Sequence, residues 1–235
     1  EMAQRSILPI LRQELGETDQ LFTRSLQLMD IGESQVADIL GDIISAQTDP
    51  TLALYAAPAN VRIRMATKAP DEATAEAKFA PVEARIRELL GNHVFGLDSQ
   101  TMAEVVEQLL RERRQTLAVA ESCTGGLLAS RITDISGASE VFLAGVVAYA
   151  NEAKTSLLGV PAEIIAQHGA VSEECARAMA EGVRRVAGAD YGLATTGIAG
   201  PTGGTADKPV GLAYMALADE RGTIVQKQFW PGTRE

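Results

Sequence analysis

Three short stretches of this sequence carry residue types that could do covalent chemistry on a small molecule. The first is Glu121-Ser122-Cys123-Thr124-Gly125-Gly126, which follows the apolar run 115–120. A small polar residue before Gly-Gly at a strand-to-helix junction exposes a nucleophile at the carboxyl edge of a sheet, where α/β proteins bind ligands. The N–H groups of the helix that follows then point at the substrate and can hold an oxyanion. A plainer reading makes Ser122 or Thr124 an ordinary helix cap.

The second stretch is Tyr149-Ala150-Asn151-Glu152-Ala153-Lys154, which offers a phenol, an amide and an amine within two turns. A serine nucleophile needs a partner to take its proton. The chain has only His93 and His168, neither in a site-like segment. His168 precedes Gly169 at an expected helix end, where it suits the helix dipole. A lysine can serve instead when burial or nearby positive charge lowers its pKa. Lys154 is the best-placed lysine, although the common fate of a lysine is a solvated surface. Cys123 is a rival nucleophile, intrinsically better at attack but without an evident base. The third stretch runs from Thr195 through Gly197, Gly200, Gly203 and Gly204 to Lys208-Pro209-Val210-Gly211. Glycine-rich backbone can approach a phosphate and present several N–H donors to it. It matches neither the P-loop nor the dinucleotide fingerprint; a long mobile hairpin connection is the alternative.

The elements that must position these stretches follow from the hydrophobic pattern. Strand 115–120 feeds the serine turn and a helix through Ile135. An apolar strand at 141–150 leads to short helices at 151–158 and 161–168, then a longer one at 172–188. A strand at 191–196 precedes the glycine-rich loop, and strands at 210–218 and 223–230 close the pattern. With a helix at 102–113, this alternation reads as a three-layer α/β domain over 99–235. Residues 1–98 read as a smaller α+β domain. Its expected elements are a helix at 3–15, a strand at 20–28, a helix capped by Ser34, a strand pair at 51–57 and 61–67, and a helix at 71–90 ended by Gly91.

Composition narrows the function class. The chain is 46% hydrophobic and 22% charged, as expected of a globular protein. No stretch approaches the ~20 apolar residues of a membrane span, and the start has no signal-peptide pattern. The formal charge of -10 argues against a generic nucleic-acid partner. Cys123 and Cys175 lie far apart, with no CxxC or Cys/His cluster, so no metal is expected. Such cysteine usage fits a reducing cytoplasm. The chain does not begin with Met, which suggests a start inside a longer protein.

Together with Gln167-His168-Gly169-Ala170-Val171-Ser172, these stretches resemble the CinA C-terminal domain, the nicotinamide mononucleotide deamidase family. The likeness runs from about residue 100 to the end, with the motifs in the family's order. It implies hydrolysis of the carboxamide to nicotinate mononucleotide and ammonia, without a cofactor. Carried over, Ser122 is the nucleophile, Lys154 its base and Tyr149 an assisting residue. The nucleotide would be bound by Cys123, Thr124, Gly125, Gly126, Asn151, Thr196, Gly197, Ile198, Ala199 and Gly200, with Arg234 near the phosphate. A catalytically silent nucleotide-binding or assembly module is the alternative.

Residues 1–98 resemble the middle, K-homology-like region of CinA, with Asp30-Ile31-Gly32-Glu33-Ser34 as the clearest local match. RNA-binding versions of that fold use a GXXG loop, and Gly32-Glu33-Ser34-Gln35 lacks the second glycine. The expected role is therefore structural, with apolar faces at 36–44 and 82–90 supporting packing between domains or subunits, and a homo-oligomer such as a dimer in solution. The likeness begins after the family's first domain, and the family continues past Glu235 into a closing helix.

Overall fold

The computed structural model describes residues 19–57 and 60–230. The expected helix at 3–15 and the position of Arg234 lie outside the described residues. Backbone contacts divide the chain into two compact units between Val105 and Val106.

The first unit is built on an antiparallel sheet of β1 (Gln20–Leu28), β2 (Thr51–Ala57), β3 (Asn60–Ala69) and β4 (Val94–Leu97), in the order β2-β3-β1-β4. Among the described residues three α-helices accompany it: α1 (Glu33–Ile39), α2 (Gly41–Ala46) and α3 (Glu72–Leu90). Alternation puts Val61, Ile63, Met65 and Ala69 of β3 into the core beside Leu26 and Leu28 of β1. The Asp71 side chain accepts the Thr74 N–H and starts α3, and Gly91 at φ 52° ends it.

Two expectations need correction here. Gly32, not Ser34, caps α1; the Gln35 side chain accepts the Gly32 N–H, so Ser34 lies inside the helix. The same geometry makes Gly32–Gln35 a helix start rather than a clamp-like loop. The apolar faces at 36–44 and 82–90 are used inside the unit: Val36, Leu40, Ile86 and Leu90 are core residues, with Ile43, Ile44, Val82 and Leu89 packed against them. Ile39, on the first of these faces, stays exposed.

The second unit carries a mixed sheet of β5 (Leu117–Glu121), β6 (Phe142–Val147), β7 (Tyr191–Gly197), β8 (Leu212–Ala218) and β9 (Thr223–Phe229). The order is β6-β5-β7-β8-β9; β5 runs parallel to β6 and β7, and the remaining pairs are antiparallel. Its helices are α4 (Met102–Arg113), which begins before the division, α5 (Leu127–Thr133), α6 (Asn151–Leu158), α7 (Ala162–His168) and α8 (Glu173–Ala187).

Each face of this sheet has its own core, as three layers require. On one face Ala118, Ala120, Ala194, Ala216 and Ala218 meet Cys175, Ala176, Met179, Ala180 and Val183 of α8. On the other, Leu117 and Val119 meet Leu110 of α4 and Ile132 of α5. The alanines leave room for α8 to lie close to the strands. Gly182 plays the same part toward α6, because a Cβ there would fall 2.2 Å from the Leu158 carbonyl oxygen. That close approach sets α6, and with it Lys154, against α8.

Chain order now fixes where a ligand can sit. From β5 the chain crosses to β6 on one side, then to β7 on the other. A crevice opens outside the carboxyl ends of parallel strands at such a reversal. The residues that follow β5, β6 and β7 are the three stretches singled out in the sequence.

Candidate active site

A cavity of about 210 Å³ lies at this edge, lined by Ser122, Cys123, Tyr149, Asn151, Lys154, Ala170, Val171, Thr196, Gly197 and Ala199. Eight of the anticipated site residues therefore share one cavity. Thr124, Gly125, Gly126, Ile198 and Gly200 are not among its lining residues. Ala170 and Val171, which no sequence argument singled out as site residues, are. A larger groove of about 740 Å³ lies over the other core, walled by Leu109, Leu193, Leu217 and Ile224 among others. Its lining has no serine, cysteine or lysine, so size does not choose the site.

Ser122 is 8% exposed. Its N–H donates to the Thr195 carbonyl at 3.0 Å, and its own carbonyl accepts the Gly125 N–H at 3.2 Å. Thr195 also meets the turn through its hydroxyl, 2.8 Å from that of Thr124. The turn is thereby held to β7 at two points. Gly126, at φ 102°, occupies a left-handed conformation that only glycine adopts without strain.

The expected oxyanion donors need correction. Gly126 and Leu128 donate their N–H groups to Glu121 Oε2, and Ala129 donates to Oε1. Gly125 donates to Ser122 and Leu127 to Thr124. The first turn of α5 is thus satisfied by a buried carboxylate rather than aimed at a ligand. Glu121, the last residue of β5, is thus turned to α5, while Ser122 just after it lines the cavity with Lys154.

Lys154 is 1% exposed, in contrast to the usual fate of a lysine. Its Nζ donates to the carbonyls of Ala148 at 2.9 Å and Tyr149 at 3.0 Å. Burial pushes the amine below its usual pKa, opposed by the nearby thiols of Cys175 and Cys123. Burial pushes the Cys175 thiol up, against the pull of Lys154 and Lys208. Tyr149, 63% exposed, stands at the cavity mouth.

A lysine with a lowered folded pKa binds fewer protons in the native than in the unfolded state between that pKa and the ~10.4 of a free lysine. Stability contributed by this group therefore rises with pH across that window. Lys154→Met removes the charging penalty. Relative to wild type, its stability should improve on moving from above pH ~10.4 to neutral pH. Thermal melts of both proteins across that range check this; parallel profiles would contradict it.

The floor of the cavity is held by hydrogen bonds from Thr196 and Lys208. Thr196, fully buried, donates its hydroxyl proton to the Ala170 carbonyl at 2.8 Å. Lys208, from the glycine-rich segment, donates to the carbonyls of His168 and Val171. Two strand-end segments are tied in this way to the loop carrying Ala170 and Val171. Neither histidine lines the cavity. His168 ends α7 with Nδ1 3.3 Å from Glu174, and His93 Nδ1 lies 3.0 Å from the Met29 carbonyl oxygen. Among the described residues, no cluster of His, Cys, Asp and Glu could hold a metal, and no helix is long and apolar enough to cross a membrane.

Fold and site together define an α/β protein with a cavity at the carboxyl edge of a three-layer domain, lined by a serine, a cysteine and a buried lysine. The chain belongs to the CinA family: the family model described as the CinA C-terminal domain matches residues 99–235. A second model, the damage-inducible protein CinA KH domain, matches residues 23–96.

Among its relatives is a putative competence-damage inducible protein of Symbiobacterium thermophilum, 54% identical over 203 residues, covering 86% of this chain and 48% of that protein. A protein of the same description from Moorella thermoacetica is 45% identical over all of this chain and 56% of its own length. The chain thus spans about half the length of these relatives. The crystal structure of competence/damage inducible protein CihA from Agrobacterium tumefaciens matches 56% of this chain and 81% of that one, at 39% identity and a TM-score of 0.55. A CinA superfamily protein from Klebsiella pneumoniae matches 57% and 86%, at 36% identity and a TM-score of 0.55.

Proposed function

We propose that the second unit hydrolyses the carboxamide of nicotinamide mononucleotide to nicotinate mononucleotide and ammonia. The observation that carries this reading is a buried lysine in the same cavity as a serine at a strand-to-helix turn. A neutral amine has two N–H donors and one lone pair. The Ala148 and Tyr149 carbonyls take both donors, which leaves the lone pair to act as base. The cavity is smaller than the ~300 Å³ of a small drug site. It suits the pyridine carboxamide, with ribose and phosphate running out along the exposed segment 201–207.

Ser122 Oγ attacks the carboxamide carbon while its proton passes to Lys154 Nζ. The oxyanion forms beside the serine turn, whose Gly125 and Gly126 N–H groups, like that of Leu127, already donate elsewhere. Collapse of the tetrahedral adduct breaks the C–N bond, and the Lys154 proton leaves with ammonia. Water then attacks the ester, giving a proton to Lys154, which passes it to the departing Ser122 oxygen as the acid is released. Asn151 and Tyr149, at the mouth, would contact the pyridine ring or ribose.

Product analysis tests the reading. The chain should convert nicotinamide mononucleotide to nicotinate mononucleotide and ammonia in equal amounts. Free nicotinamide should turn over far more slowly, because binding energy from the remote phosphate serves the chemical step. Folded protein that binds the nucleotide and leaves it intact would favour a silent module.

A further inference from the structure

Glu121 is fully buried, although a carboxylate is costly to bury unless its oxygens are hydrogen-bonded. Its side chain meets backbone amides: Gly126 at 3.0 Å, Leu128 at 3.0 Å and Ala129 at 2.8 Å. A negative charge at this end of α5 also complements the helix dipole. The residue is held through its main chain too, since its carbonyl accepts the Ala148 N–H at 2.8 Å. Ala148 in turn supplies one of the carbonyls that hold Lys154 Nζ. One residue is therefore bonded to the far end of the serine turn and to the strand end that orients the lysine.

We propose that Glu121 is a positioning residue for the Ser122–Lys154 pair. Its carboxylate closes the turn 122–126 from the side of α5, and its carbonyl fixes the end of β6. This role rests on the deamidase reading for its substrate but not for its geometry. Glutamine has one carbonyl oxygen, so Glu121→Gln must face at least one of the three amides with its own NH₂ donors. The turn then shifts, while the groups along 196–208 that would bind the nucleotide stay in place. Misplacing a reacting group by ~1 Å can cost ~10²-fold in rate.

The test compares kcat and KM for nicotinamide mononucleotide in wild type and Glu121→Gln, beside the rate at which a fluorophosphonate labels Ser122. Circular dichroism and melting establish that the variant is folded. Glu121→Asp, which keeps the charge but shortens the reach, serves if the glutamine variant does not fold. The expected result is a fall in kcat of about 10-fold or more, a KM within about twofold, and a matching loss in labelling rate. A folded variant with unchanged kcat and labelling overturns the proposal, as does one in which KM rises while kcat holds. Should wild type release no ammonia while labelling still slows in the variant, the positioning role stands and the substrate assignment fails.

Discussion

Ser122→Ala should lower kcat for deamidation by about 10⁴- to 10⁶-fold, the scale seen when a serine hydrolase loses its nucleophile. Nucleotide binding should persist, because Ser122 is one of several lining residues and β7 with its loop is untouched. Cys123 lines the same cavity, half-buried, and is a better intrinsic nucleophile. Cys123→Ala is therefore the necessary companion, and it should retain most activity. Serine is favoured by its place at the end of the fully buried strand β5, with its own peptide held by Thr195 and Gly125. Steady-state kinetics and nucleotide binding on both variants check this. A dead cysteine variant beside an active serine variant would transfer the nucleophile to Cys123.

Lys154→Arg should lower kcat by about 10²- to 10⁴-fold, the usual contribution of a general acid–base. A guanidinium stays protonated at any working pH and cannot take the serine proton. It is also bulkier, in a position 1% exposed. The pH profile separates lost chemistry from lost packing. Burial lowers the Lys154 pKa, so in wild type kcat/KM should rise with pH through a midpoint below the ~10.4 of a free lysine. The residual activity of the variant should lack that limb. Appreciable activity that follows the wild-type profile would remove Lys154 from the mechanism.

The sequence made the site legible because its three stretches each follow a parallel strand, and parallel strands in one sheet bring their carboxyl ends to one edge. Ser122, Lys154 and Thr196 could be read from residue type and from the period of the flanking runs. What could not be read was non-local. The double hold of Thr195 on the turn depends on β7 pairing with β5, which no local pattern announces. Ala170 and Val171 carry no chemical signal; they reach the cavity because Thr196 and Lys208 bind their segment.

Glu121 looked like part of a motif, yet its bonds to the first turn of α5 reverse the expectation that the helix amides face a ligand. In the first unit, β4 is four residues long, contains Gly96 and pairs irregularly with β1, too short to show a period. The single helix expected from Ser34 breaks at Leu40, just before Gly41.

Ammonia release from nicotinamide mononucleotide by the folded chain, measured for wild type beside Ser122→Ala, tests the central claim most directly. The account predicts equimolar ammonia and nicotinate mononucleotide from wild type and a rate lower by about 10⁴-fold or more from the variant. Equal release by the two proteins, or none from a wild type that binds the nucleotide, would contradict it.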